Sequence, residues 1–328
     1  MRYIEEEMEG ILKNAPYFRH CEDLDAIRTD MLYWYLAYGF LPSEYACFEF
    51  EGKTREERLS FISDIETMEF GYMVNDITIM QGIVDKGRCY TNYPYLFHRD
   101  ALVVEKPYDF EAYMSFVSKH PVFVQKDVLS MMGRGVKLVD INLVGVSKEE
   151  YFKKLISKGR HLLEERVIQC AEMARFNPTS VNTVRCITMR TNNGIEAPWC
   201  FMRTGRGGSF VDNGGSGGLL IGVDARTDKI TSSGYDEYNN KYTHHPDTGE
   251  RFEGKQIPRW DEMISFCKTE AAIIDGMSYL SWDMALTDDG WDVIEINEIG
   301  QLIGPQMTMK RGIRIELERF LKDMSRAV

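Results

Sequence analysis

The sequence has little of what marks a membrane, secreted or nucleic-acid-binding protein. Its longest apolar stretch, residues 31–41, is much shorter than the roughly 20 residues that span a bilayer. Its 7 cysteines are an odd number without a C-x-x-C pair, which argues against a disulfide framework and a zinc site. Because 51 acidic residues outnumber 39 basic ones, the net charge of −12 gives no general attraction to nucleic acid. We therefore expect reduced thiols, no membrane span, and local cations for any phosphate-bearing ligand.

The start of the chain also lacks the pattern of a targeting signal. Residues 1–10 are acidic and do not show the basic-then-apolar order of a signal peptide. We expect a cytoplasmic protein from this feature and from the scattered cysteines. The aromatic side chains of residues 31–41 leave two interpretations, contact with a membrane surface or packing in the core, and an aromatic-rich helix favours the core.

The composition of the 328 residues is that of a soluble globular enzyme with about two domains, since 44% are hydrophobic and 27% are charged. The first sixty-odd residues have helical spacing over 22–38 and 54–68, with Pro42 as the break between them. Later segments alternate between β-rich runs and helical patterns, which predicts an α/β or α+β fold with mixed sheets. The β-rich runs are 122–125, 136–144, 161–169, 183–190, 197–204 and 291–296, and the helical patterns are 110–119, 148–158, 261–275 and 312–324.

The first candidate site is a β-rich run that ends on Lys126 and is followed by a turn containing Gly133 and Gly135. Glycine lets a backbone approach phosphate oxygens, and a lysine supplies a positive charge to the same group. The turn lacks the GK[ST] element of a P-loop. By itself the pattern is weak, and the alternative is a G-x-G hairpin turn with a solvated lysine.

The second candidate is the run 161–169, where Glu164 and Glu165 interrupt an apolar strand. One interpretation is a hinge whose backbone and Glu165 side chain meet the edge of an adenine ring. The alternative is a strand end at which both carboxylates face solvent.

The third candidate comprises Asp283, Glu295 and Asn297. Glu295 and Asn297 are two positions apart on a β-rich run, so their side chains point to the same face. We expect Asp283 to end the preceding β-rich segment and to lie on the adjacent strand. Two carboxylates and an amide oxygen suit Mg²⁺, which prefers oxygen ligands and is often shared with nucleotide phosphates. The alternative is an acidic, solvated outer face.

The fourth candidate joins Arg185 and Arg203, each in a β-rich run, with the glycine-rich loop that includes Asp212, Asn213, Gly217 and Gly218. Two guanidinium groups and exposed backbone N–H groups form a receiver for a carboxylate or an acyl phosphate. The alternative is a flexible loop with surface arginines.

In this serial order the four candidates resemble the ATP-grasp superfamily, and among its branches the sugar-transfer-associated one, over residues 46–306. The 245–249 and 257–260 segments are also characteristic of this branch. The chain departs from it where Asp127 replaces the frequent proline after Lys126, and the flap at 131–135 has fewer glycines. The resemblance implies these site residues: Lys86, Lys126, Gly133, Gly135, Glu165, Val167, Ile168 and Glu172 for ATP; Arg185, Arg203 and Asn213 for catalysis; Asp212, Gly217, Gly218 and His245 for the substrate; and Asp283, Glu295 and Asn297 for Mg²⁺.

The resemblance also implies the architecture, an α+β ATP-grasp fold in which two lobes clasp a nucleotide behind a helical N-terminal region. The expected divisions are a helical region at 1–68, a preceding segment at 69–120, a small lobe with the flap at 121–175, and a large lobe at 176–328 that carries the metal and acyl-substrate sites.

The activity that the resemblance implies is that of an ATP-dependent carboxylate–amine ligase. A small-molecule carboxylate attacks the γ-phosphate to form an acyl phosphate, and an amine or related nucleophile then displaces the phosphate. Such catalysis depends on positioning and charge stabilisation, without a covalent nucleophile of the enzyme. The family name suggests sugar-linked or cell-surface glycan metabolism. Two rivals remain, a phosphotransferase with a small sugar-like alcohol as acceptor, and a carbohydrate- or peptide-binding module.

Overall fold

The computed structural model describes residues 2–18, 21–130, 135–212 and 214–325 of the chain. The predicted flap residue Gly133 and the predicted loop residue Asn213 lie outside the described residues. In the described part, no helix combines the length and the apolarity needed to cross a bilayer.

The N-terminal part is helical, as predicted. Helix α2 begins after Asp23, whose carboxylate accepts a hydrogen bond from the Ala26 backbone, and it ends at Gly39, where φ is 75°. Pro42 does more than break the chain, because it occupies the first turn of α3, where its missing N–H costs nothing. The helices are α1 (Arg2–Asn14), α2 (Leu24–Tyr38), α3 (Pro42–Cys47), α4 (Arg55–Leu59), α5 (Asp64–Val74), α6 (Ile77–Val84) and α7 (Lys86–Asn92).

The helix predicted over 54–68 is wrong in one respect, since this segment contains the separate helices α4 and α5. A second capping signal explains the division. The Ser63 hydroxyl accepts a hydrogen bond from the Glu66 backbone, and the Glu66 carboxylate accepts one from the Ser63 backbone. This capping box starts a new helix at Asp64.

Aromatic rings form the core of the N-terminal region. Phe50 is fully buried, and the ring centroids of five aromatic neighbours lie 4.9–5.8 Å from its own. Trp34, within the stretch 31–41, is one of these neighbours and is buried, whereas Tyr33 in the same stretch is exposed. The core interpretation therefore holds for one side of this helix. The same cluster contains Tyr235 and Met307 from the C-terminal half, so the helical region packs directly onto it.

The smaller sheet has the strand order β1-β4-β2-β3, and all of its neighbouring strands are antiparallel. Two predicted strands, 136–144 and 161–169, are shorter than expected, and β1 was not predicted. The 69–120 segment contributes β1 to the same sheet as residues 121–165, and its helix α8 contacts β1. The elements are β1 (Ala101–Val104), α8 (Phe110–Lys119), β2 (Val122–Asp127), β3 (Lys137–Asp140), α9 (Lys148–Ile156) and β4 (His161–Glu165).

The larger sheet has the strand order β11-β10-β5-β6-β7-β8-β9 and is also antiparallel. The edge strand β11 lies beside the smaller sheet, because Arg99 next to β1 bonds to the carbonyl oxygens of Val293 and Ile294. Two sheets with separate helices confirm the α+β class. The elements are α10 (Ala171–Ala174), β5 (Thr183–Thr191), β6 (Gly194–Thr204), β7 (Leu219–Val223), β8 (Ile230–Tyr235), β9 (Lys241–Tyr242), α11 (Trp260–Ile273), β10 (Tyr279–Leu286), β11 (Trp291–Asn297), α12 (Ile303–Met309) and α13 (Arg314–Ser325).

Truncation of the central ring of the N-terminal core tests its packing. We expect Phe50→Ala to lower the free energy of unfolding by about 3–5 kcal/mol, because it removes buried apolar surface and leaves a cavity. The matched control is Tyr3→Ala on α1, whose side chain is 72% exposed, with an expected change within about 0.5 kcal/mol. Urea unfolding of both variants measures the difference, and equal losses would contradict the packing described.

Candidate active site

A small cavity lies where α6 and α7, the small sheet and the edge of the large sheet meet. It brings together Lys86, Lys126 and Glu295, which are far apart in the sequence and were predicted to share one cleft. Two lysines and two carboxylates stand among apolar side chains in its wall. The lining residues are Ile83, Lys86, Cys89, Tyr90, Phe97, Lys126, Leu162, Glu164, Ile294, Glu295 and Ile296.

Lys86 is the first residue of α7, and its backbone position is set by the helix cap. The carboxylate of Asp85 accepts a hydrogen bond from the Arg88 backbone at 3.0 Å, which starts the helix at Lys86. The Lys86 ammonium donates to the Ser130 carbonyl oxygen at 2.6 Å and lies 3.0 Å from Glu295 Oε1. It therefore contacts both the segment after β2 and the large-sheet strand β11.

Lys126 lies near the end of β2, and its ammonium forms an ion pair with the carboxylate of Glu164 on β4. The register pairs Val124 with Glu164 and Lys126 with Leu162, so both charged side chains emerge on the same face of the sheet. Glu164 is 2% exposed. Burial alone would raise the pKa of Glu164, but Arg99 and Lys126 outweigh it and hold that pKa below its ordinary value.

Glu164, and not Glu165, is the carboxylate in the cavity. The two residues are adjacent on a strand, so their side chains lie on opposite faces. Glu165 instead accepts a hydrogen bond from the Asp100 backbone at 3.1 Å and lies near His120. The sequence pattern did not identify Glu164 as a site residue, and the pairing of Lys126 with Leu162 is the information that was missing.

The other predicted adenine contacts lie in a separate groove. Glu165, Val167 and Ile168 line it together with Arg99 and Trp291, and Ile168 is exposed. Glu172 is exposed in the first turn of α10. The structure does not bring these hinge side chains into the cavity with the lysines, so their contact with adenine stays a prediction.

A row of charged side chains crosses three strands of the large sheet. The register pairs Arg185 on β5 with Asp283 on β10, and Asp283 with Glu295 on β11. Asp283 was predicted to end its strand, which is wrong, because β10 continues for three more residues to Leu286. The central position of Asp283 explains why two neighbouring strands supply its partners.

Asp283 is buried and is held by two guanidinium groups. Arg185 donates two hydrogen bonds of 2.7 Å, one to each carboxylate oxygen, and Arg203 lies 2.9 Å from Oδ2. Burial would raise the pKa of Asp283, but Arg185 and Arg203 outweigh this and lower it to about 2. Asp283 therefore stays ionised at neutral pH.

Asp283, Glu295 and Asn297 carry side-chain oxygens of the type that a hard cation prefers. They stand on neighbouring strands, and the amide nitrogen Nδ2 of Asn297 donates a hydrogen bond to Asp283 Oδ2 at 3.4 Å. Both oxygens of Asp283 already contact its arginines, so a cation at Asp283 would have to replace part of these contacts. At Glu295 a cation would meet the Lys86 ammonium, and the side chain of Glu295 is about one third exposed.

The predicted substrate loop is attached to the same strands. Asp212 accepts hydrogen bonds from the Thr183 backbone at 3.1 Å and from the Thr183 hydroxyl at 2.5 Å. The Thr183 hydroxyl in turn accepts two hydrogen bonds from Arg203, of 3.1 and 2.9 Å. Asp212 and Arg203 therefore act on one threonine, at the base of the loop.

Arg206 and His245 support this loop from its other side. Arg206 Nε donates to the Gly217 carbonyl oxygen at 2.5 Å, and Gly217 has φ +86°, which favours glycine. Gly218 is buried just before β7. The substrate contact predicted for His245 stays a prediction. Its ring is buried, with Nε2 2.7 Å from the Gly205 carbonyl oxygen and Nδ1 accepting a hydrogen bond from the Asp247 backbone at 3.2 Å.

Comparison with known proteins gives one family and several distant structures. A sequence model described as sugar-transfer associated ATP-grasp matches residues 73–322. No curated protein matches the chain.

Similar solved structures include the ATP-grasp ligase PsnB with its minimal precursor, with 15% identity and a TM-score of 0.44 over 76% of this chain and 64% of that chain. D-alanyl-alanine synthetase A from Vibrio cholerae has 11% identity and a TM-score of 0.45 over 75% and 66%. The VanG D-Ala:D-Ser ligase from Enterococcus faecalis has 13% identity and a TM-score of 0.47 over 77% and 64%. The chain thus spans less than two thirds of the length of these three proteins.

The buried charge of Asp283 predicts a pH-dependent contribution to stability. We expect Asp283→Asn to lower the free energy of unfolding at pH 7 by about 3–5 kcal/mol, because it leaves two buried arginines without their shared partner. The pKa of the folded carboxyl is about 2, against an ordinary 3.8. The contribution of this charge is therefore fully present above the ordinary value and is lost as the pH falls through about 2.

Urea unfolding at pH 7 and pH 3 measures this contribution, and the wild-type advantage should be smaller at pH 3. Asp288→Asn, in the exposed turn of the same hairpin, is the matched control and should change little at either pH. An advantage that is equally large at both pH values would show that the Asp283 charge is not its source.

Proposed function

Because the chain belongs to the sugar-transfer-associated ATP-grasp family, we propose that it is an ATP-dependent ligase that joins a small-molecule carboxylate to an amine or a related nucleophile. The observation that carries the proposal is that one cavity is lined by Lys86, Lys126 and Glu295. Glu295 also pairs with Asp283 on the neighbouring strand. The family name favours a role in sugar-linked or cell-surface glycan metabolism. We propose a cytoplasmic location for this activity.

In this proposal the lysines receive the phosphates of ATP. Both ammonium groups now face carboxylates, Lys86 with Glu295 and Lys126 with Glu164. A triphosphate carries more negative charge than either carboxylate, so in a largely buried site it would attract both lysines more strongly. Gly135, the last residue of the predicted flap, has φ +75°, a conformation that favours glycine.

Asp283, Glu295 and Asn297 would hold Mg²⁺, since their oxygen donors fit that ion. When bound, the ion would neutralise charge on the β- and γ-phosphates. Glu295 is the residue at which the two parts of the site meet, because it contacts Lys86 and also belongs to the charged row. The chain's own contribution here is to orient the donors on two paired strands.

The substrate carboxylate would attack the γ-phosphate, giving an acyl phosphate and ADP, and the amine would then displace phosphate. Arg185 would face the phosphates, and Arg203, with the loop that follows Asp212, would hold the substrate and the developing negative charge. Both arginines are fixed by Asp283, so their charges are oriented before a substrate arrives. No covalent nucleophile of the enzyme takes part, and the acceleration comes from positioning and electrostatic stabilisation.

Neutralising either side of the Lys86–Glu295 contact tests the proposal. We expect Glu295→Gln and Lys86→Met each to reduce ADP release at least about 100-fold. Lys86→Met removes a cation that would face the phosphates, and Glu295→Gln removes a charged ligand of the proposed Mg²⁺ site. ADP release is measured with Mg²⁺ and a panel of amino acids and uronic acids, and ATP binding is followed by the rise in melting temperature. The matched controls are Glu149→Gln and Lys153→Met, which form an exposed ion pair on α9.

The same assay separates the proposal from its rivals. A ligase releases ADP at full rate when a carboxylate and an amine are both present, and it forms an amide. A phosphotransferase would give a stable phosphorylated alcohol without an amine. A binding module would show no ATP-dependent rise in melting temperature, and wild-type turnover in both site variants would refute the assignment of these residues.

A further inference from the structure

Arg99 is a buried arginine that was not among the predicted site residues. Its side chain is 5% exposed and lies between the two sheets. On the large-sheet side it donates to Val293 O at 2.6 Å, to Ile294 O at 3.2 Å, and to Asp292 Oδ2 at 2.9 Å. On the small-sheet side it donates two hydrogen bonds to Glu164 Oε1, of 3.2 and 2.5 Å.

The carboxylate of Glu164 is divided between two cations. Its Oε1 oxygen accepts from Arg99, and its Oε2 oxygen pairs with the Lys126 ammonium. Lys126 and Glu164 both line the cavity, whereas Arg99 lies behind Glu164 and lines the neighbouring groove. Arg99 therefore contacts the carboxylate from the side that a ligand in the cavity does not reach.

This arrangement bears on how Lys126 can change partners. A buried carboxylate that loses its only cation is strongly unfavourable, because neither water nor another charge replaces the lost contact. With Lys126 as its sole partner, Glu164 would hold the lysine in place. Since Arg99 remains bound to the other oxygen, Glu164 keeps a compensating charge when the Lys126 ammonium turns toward a different anion.

We propose that Arg99 is a positioning residue that frees Lys126 for a phosphate group by compensating the charge of Glu164. The inference rests on the proposed function, because it takes a nucleotide phosphate as the anion that receives Lys126. In this role Arg99 acts on Lys126 through Glu164 and not on the phosphates directly. Its removal should weaken binding of the phosphates specifically, because Lys126 is then retained by an otherwise unpaired carboxylate.

The experiment measures the dissociation constant of Mg²⁺–ATP by calorimetry for four proteins. Relative to wild type, we expect Arg99→Gln to weaken binding at least about tenfold. In the double variant Arg99→Gln/Glu164→Gln we expect affinity to return to within about threefold of wild type, because Lys126 no longer faces a carboxylate. Asp292→Asn is the matched control, since it removes another buried partner of Arg99 without changing Glu164, and we expect its affinity to stay within about threefold.

The effect of adding Glu164→Gln to Arg99→Gln separates this role from a structural one. If Arg99 only joined the two sheets, Asp292→Asn would weaken ATP binding as Arg99→Gln does, and the added Glu164→Gln change would lower affinity further. Either result would overturn the inference. If Arg99→Gln fails to fold, Arg99→Lys replaces it, because this variant keeps one positive charge beside Glu164. The inference then predicts ATP affinity within about threefold of wild type, and a tenfold loss would contradict it.

Failure of the proposed function gives a different result. If the wild-type protein does not bind Mg²⁺–ATP, the ligase assignment fails, and the inference fails with it. If wild type binds and Arg99→Gln binds with unchanged affinity, the ligase assignment stands and the role of Arg99 is refuted. Melting temperatures of all variants without nucleotide establish that the binding measurements compare folded proteins.

Discussion

The charges at this site are buried beside charges of opposite sign that come from other strands or helices. Asp283 lies between Arg185 and Arg203, and Glu164 lies between Arg99 and Lys126. Burying an unpaired ion would strongly lower the free energy of unfolding. The strand registers that bring these pairs together therefore also compensate the buried charges. The register of β5, β10 and β11 therefore determines both the fold of the large sheet and the chemistry available at its surface.

The sequence contained enough to predict the chemical groups of the site but not all of their partners. Glu295 and Asn297 are two apart on one strand, so period-2 alternation places them on one face without any tertiary information. The partner of Lys126 depends on which residue of β4 lies opposite it, and one position of slippage exchanges Glu164 for Glu165. Arg99 lies in a short connection before β1, where the sequence has no helix or strand periodicity, so nothing in the sequence indicated its partners.

The fold shows the same limit. Helices α2, α8 and α11 have clear periodic patterns and were predicted, whereas α4 and α5 were merged because the capping box at Ser63 was overlooked. Strand β1 has four residues and was missed, since a short apolar run cannot be assigned from periodicity alone. Pairing with β4 makes it a strand, and pairing is a property of the folded chain.

The N-terminal helical region is joined to the C-terminal half of the chain by three residues with unusual backbone conformations. Glu49, Asn239 and Lys310 all have positive φ, and the Glu49 carboxylate accepts hydrogen bonds from the other two side chains, at 3.1 and 2.7 Å. A non-glycine residue in this conformation is uncommon and persists where surrounding contacts hold it. The turn that contains Asn239 also contains Asp236, which lies 3.0 Å from Arg206. Since Arg206 holds Gly217, the helical region outside the family match is linked by contacts to the loop beside Arg203, and the site cannot be treated as independent of it.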